Sequence, residues 1–173
     1  MKKLVFSIVL IFAGAVSYAQ PNSNNYLWPI EGAEAGTNII CAPQEYIGEE
    51  FNFDNLFIGA EEGTRVLAPT DGIVTYLRVG YFQSLNQTIS YKSDKANFDE
   101  KIKEVKPYLD KSINPQYLCG KLEISVGNGF AIWIYGLSGN ETLKEGQRIK
   151  RGDPIGRVAY CYHKIKRPAI YLS

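Results

Sequence analysis

Apolar and polar positions alternate in short bursts along most of this chain, and each burst predicts a strand. Arg65-Val66-Leu67-Ala68 is followed by Pro69-Thr70-Asp71-Gly72 and then by Ile73 to Val79, which reads as two strands joined by a hairpin-like turn. Lys121 to Val126 and Phe130 to Tyr135 flank Gly127-Asn128-Gly129, and Asn-Gly between alternating runs is a strong hairpin signal. Ile155 to Tyr160 and Ala169 to Leu172 supply further strands, with Gly146 and Gly152 punctuating the segment before them.

One stretch breaks the period of two. Phe98, Ile102, Val105 and Leu109 recur at near-helical spacing, Asn97 offers an N-cap with Glu100 three residues on, and Pro107 should end or bend the helix. The stretch from about 82 to 118 is therefore expected as an insertion carrying one amphipathic helix packed on the sheet. The fold class expected is mostly β, a small twisted antiparallel sheet with that one helix added.

The first residues have a different pattern. Met1-Lys2-Lys3 is basic, Leu4 to Val16 is apolar, and Ser17-Tyr18-Ala19 places small residues at the −3 and −1 positions. This is the layout of a secretory signal peptide over residues 1–19. Its apolar run is too short for a bilayer core of about 30 Å, which takes roughly 20 residues. No second apolar run follows, so no membrane span is expected after cleavage. Residues 20–49 read as a polar leader and an irregular N-terminal segment, and residues 50–173 as the folded domain. Export implies the periplasm, the extracellular space or the cell envelope of a bacterium.

Composition narrows the function. Nineteen basic and 18 acidic residues give a formal net charge of +1, which argues against a dedicated nucleic-acid binder. The three cysteines, Cys41, Cys119 and Cys161, allow one disulfide at most, and sequence leaves the choice of pair open. No CxxC spacing suggests a thiolate metal site. The only histidine is His163, in Tyr162-His163-Lys164, where a solvated loop residue is expected. Asp54 and Asp71 are expected to be solvated or turn-forming, and Lys95 in Ser-Asp-Lys-Ala lacks the setting of a lipoyl-lysine hairpin.

Two longer motifs carry a resemblance. "GTRVLAPTDGIVTYL" (63–77) is similar to "GTPVYAPADGVVTYV", and "LKEGQRIKRGDPIGRV" (143–158) to "VKVGQRVKKGQPIG", both of the lysostaphin-like (LytM-like) zinc metallopeptidases. Between them "AIWIYGLS" stands where that family writes "YAHLS". The resemblance covers roughly residues 50–173 and implies the barrel-sandwich hybrid, or duplicated hybrid motif, related to biotinyl and lipoyl carriers. It also implies zinc, held by an H-x-x-x-D run before the first motif and the last His of an H-x-H near the C-terminus.

Carried onto this chain, the first ligand positions fall on Phe53 and Phe57, the catalytic histidine of "YAHLS" on Gly136, and the H-x-H pair on Ala169 and Tyr171. These residues cannot supply the donors zinc needs, so no cofactor is expected. The resemblance then suggests a non-catalytic domain whose former groove, lined by Phe53, Phe57, Tyr171 and the neighbouring Tyr135, binds peptidoglycan or an envelope protein. Filling of that groove by the rings, as an extension of the core, is favoured over a binding surface on the fold alone. The alternatives are an active zinc endopeptidase cutting peptidoglycan cross-links and a structural module with no groove.

Overall fold

The computed structural model describes residues 26–52, 54–85 and 87–173; the signal-peptide reading over 1–19 and the position of Phe53 lie outside these residues. The described chain is mostly β, with ten strands in one twisted antiparallel sheet and a separate two-stranded ribbon. The strands are β1 (Ile39–Cys41), β2 (Tyr46–Ile47), β3 (Glu50–Phe51), β4 (Leu56–Gly59), β5 (Arg65–Leu67), β6 (Gly72–Ser84) and β7 (Gln87–Tyr91). After the helix α1 (Phe98–Val105) come β8 (Cys119–Gly127), β9 (Phe130–Ser138), β10 (Arg148–Ile149), β11 (Pro154–Val158) and β12 (Ala169–Leu172). The main path runs β1-β4-β12-β9-β8-β6-β10, with β7 on β6 and β11 bridging β5 and β9.

Alternation along each strand sends successive side chains to opposite faces, and here both faces are buried. Ile58, Leu122, Ile134 and Ile170 enter one apolar cluster, while their neighbours Phe57, Tyr135, Ala169 and Tyr171 enter a second. This two-sided burial accounts for the consecutive apolar residues at Ile132 to Tyr135 and Ala169 to Leu172, which depart from the alternation seen elsewhere.

The Asn128-Gly129 hairpin forms as expected between β8 and β9, with φ of 52° at Asn128 and 79° at Gly129, as a primed turn requires. The expected hairpin of Arg65–Leu67 with Ile73–Val79 does not form. β5 pairs with β11, and β6 pairs with β8, β7 and β10. The Pro69–Gly72 link instead crosses between two parts of the sheet, with Ala68 N–H donating to Asp153 O at 2.8 Å and Gly152 N–H to Ala68 O at 2.9 Å. Local turn chemistry marked the bend correctly, but the partner of β5 is set by contacts some 90 residues away in sequence, Arg65 against Arg157.

The segment before Glu50, expected to be irregular, is partly built into the sheet. β1 lies against β4, Ile30 forms a bridge with Val66, and Ile30 and Cys41 are buried. The insertion is also more regular than expected, because β6 continues to Ser84 and folds back as β7 before the helix begins.

Helix α1 starts where its cap predicts: Asn97 Oδ1 accepts the Glu100 N–H at 3.0 Å. It gives way at Lys106 to a 3-10 turn containing Pro107. Phe98 and Val105 are buried against the sheet, with Ile102 and Leu109 packed around Val79 and Leu118. Replacing Asn97 by Ala should cost about 1 kcal/mol, read as a lower urea midpoint with an unchanged slope.

Candidate functional site

The antiparallel register sets one row of side chains straight across the sheet. Phe57 is opposite Tyr171, Tyr171 opposite Tyr135, and Tyr135 opposite Lys121. Three of the sequence-assigned positions therefore meet on β4, β12 and β9, and Ala169 lies two residues before Tyr171 on the same face.

The rings fill this place. Phe57 is fully buried, and its ring stacks on Tyr171 with centroids 5.0 Å apart and planes 26° from parallel. Tyr135 packs on Tyr171 at 4.7 Å. Against Tyr135 and Tyr171 packs Phe82, from the far end of β6, with its centroid 4.9 Å from Tyr135 and 5.2 Å from Tyr171. Tyr162 closes the cluster from the other side of Phe82, and both are buried. Stacked and edge-to-face pairs of this kind each add about 0.5–1.5 kcal/mol beyond the area they bury.

Each polar group in the cluster has a partner. Tyr171 O–H donates to Asn55 Oδ1 at 2.6 Å, while buried Asn52 donates to Ala42 O and Asn55 O and accepts the Asn55 N–H. Burial first, and then Asp54 and the Cys161 thiol, push the Tyr171 hydroxyl up to about 12, against a lowering hydrogen bond from Ser173. Burial likewise raises Tyr135 and Tyr162. These phenols stay neutral at physiological pH.

Glu50 anchors the rim. Its carboxylate accepts the Leu85 N–H and the Tyr162 O–H, both at 2.7 Å, and pairs with Lys164 at 2.5 Å. Burial opposes its ionisation, but the Lys164, Leu85 and Tyr162 hydrogen bonds outweigh that and hold it at about 2, below its ordinary 4.5. A lowered folded value means that the stabilisation is fully present above about pH 4.5 and drains away as pH falls towards about 2. The melting temperature should therefore fall over that window, and Glu50→Gln should flatten the fall.

Gly136 takes φ of 86°, and a Cβ built there would lie 2.2 Å from Ala169 O and 3.0 Å from Ile170 Cα. The position where the resemblance expects a catalytic histidine has no room for any side chain on this backbone. Ala169 is fully buried beneath the cluster.

The donor set does not fit zinc. Phe57, Gly136 and Ala169 carry no donor atoms, and the Tyr171 hydroxyl is a neutral donor already given to Asn55. Among the described residues no three His, Cys, Asp or Glu side chains converge as a metal site would require. His163 is exposed and lies edge-on to the rings of Tyr162 and Tyr117. Asp54 is exposed, and Asp71 accepts the Arg151 N–H at 2.7 Å, joining the two motif turns. Cys41, Cys119 and Cys161 are free and buried, and burial pushes the Cys119 thiol up to about 12 and Cys161 well above its ordinary value. They behave as small hydrophobes, not nucleophiles.

Sequence reading missed Phe82, Tyr162, Glu50 and the Asn52–Asn55 pair. Phe82 falls in a stretch set aside as an insertion. Asn55 had one available signal, since it precedes Phe57 by two residues and so shares its strand face. No protein-family profile matches this chain, and no curated protein sequence matches it significantly.

Proposed function

We propose that this chain is an exported, non-catalytic protein of lysostaphin-like architecture that serves the bacterial cell envelope by binding peptidoglycan or an envelope protein. The observation that carries the reading is Phe57, fully buried and stacked on Tyr171 where the resemblance expects ligands on both strands. The reading is supported as well by the contact between the two motif turns, where Asp71 accepts the Arg151 N–H. An active zinc endopeptidase finds no support in these side chains. A binding role must then use surface outside the closed cluster.

The test is to immobilise the chain from Gln20 onward and offer it intact sacculi and a solubilised envelope fraction. Retention of one of them without release of peptides or new amino termini is expected. Peptide release on incubation, or retention of neither, overturns the proposal.

A further inference from the structure

We propose that the cleft between β1 and the loop leading into β12 is a docking site for an extended acidic peptide segment of a partner protein. The cleft has a volume of about 320 Å³, and Ile40, Ile47 and Ile165 form its apolar lining. Lys166 and Arg167 stand on its rim, exposed and without an ion pair among the described residues. The third cation, Lys164, is already paired with Glu50. Of the acids in this region, Glu45 accepts the Ala42 N–H at 2.7 Å, and Glu50 serves Leu85, Tyr162 and Lys164. Two unpaired positive charges above an apolar floor fit a ligand that carries carboxylates and aliphatic groups on the same strand face.

The neighbouring strand selects a polypeptide over other anions. β1 ends the sheet, and its outer edge has no strand partner among the described residues. An open edge presents main-chain N–H and C=O groups that an added strand completes, with alternate side chains read by adjoining pockets. β1 also lacks the charges that usually protect an edge; it reads Ile39-Ile40-Cys41, with Ile39 43% exposed and nearby Tyr46 68% exposed. An anionic polysaccharide or a lipid surface could meet the cations but would leave the edge unpaired. This inference deepens the binding role proposed above, yet it draws on none of the residues in the aromatic cluster.

The test is fluorescence anisotropy with a labelled hexapeptide, Glu-Glu-Val-Val-Glu-Glu, whose two strand faces each carry glutamate and valine. Saturable binding to the mature chain is expected, weakened about tenfold or more by Lys166→Glu combined with Arg167→Glu and by raised salt. The same peptide with lysine for glutamate should not bind, and a backbone N-methylated version should lose most of its affinity. Both substitutions are at exposed positions, so an unchanged urea midpoint will verify the fold. Equal binding of the lysine peptide, full affinity in the double variant, or undiminished binding of the N-methylated peptide overturns the proposal. So does preferential binding of polygalacturonate or of phosphatidylglycerol vesicles that depends on Lys166 and Arg167. Failure here leaves the retention and cleavage results for sacculi and envelope fractions unaffected, so the two readings fall separately.

Discussion

Phe57→Asp should destabilise this protein more than Phe57→Ala, and Phe57→Ala should itself cost about 3–5 kcal/mol. The alanine removes a ring that is fully buried and stacked on Tyr171, leaving a void between β4 and the residues that Phe82 covers. The aspartate adds to that void a carboxylate with no cation in the cluster to meet it. The cations around the cluster are engaged, Lys164 with Glu50 and Lys121 over the rings of Tyr135 and Trp133. An uncompensated buried charge costs several kcal/mol beyond lost packing unless the group takes up a proton. Urea denaturation at neutral pH should rank the three proteins wild type, alanine, aspartate. The aspartate protein should also recover stability relative to the alanine protein as pH falls, because protonation removes the charge. Near-neutral values for both would mean that Phe57 faces solvent.

Gly136→Ala is the second large effect. The alanine must adopt a left-handed φ, at about 1–3 kcal/mol, and its methyl must displace the backbone of β12, at a further cost of about 1–3 kcal/mol. The contact that forces this is the 2.2 Å approach to Ala169 O, a strand atom held in its ladder and not the end of a flexible side chain. Loss of roughly 2–6 kcal/mol is expected, enough to unfold a marginal domain. Gly129→Ala is the natural comparison, since Gly129 also has positive φ but a Cβ there meets nothing within 4 Å. A smaller loss at Gly129 than at Gly136 separates crowding from backbone strain.

What the sequence reveals about this fold follows the range of the interaction concerned. The helix start at Asn97 and the Asn128-Gly129 hairpin are local, and both form where their residues say. The joining of β5 to β11 is not local, and no pattern near Arg65 indicates it. The strand in the N-terminal segment is also hidden, because β1 has only three residues and owes its order to β4. At the site, aligning motifs placed Phe57, Tyr171, Tyr135, Ala169 and Gly136, and the register gathers them around one place. Whether their rings open or close it depends on Phe82 and Tyr162, which come from distant parts of the chain. Those two could be assigned only once β6 was known to run on to Ser84.

Whether Phe57, Ala169 and Tyr171, where the resemblance expects metal-site residues, serve as core is decided by the zinc stoichiometry of the chain from Gln20 onward. The protein would be dialysed to equilibrium against micromolar zinc and then freed of loosely held metal. Substoichiometric zinc, unchanged by His163→Ala, is expected. Tightly held zinc at one ion per chain, lost in the His163→Ala protein, would contradict it.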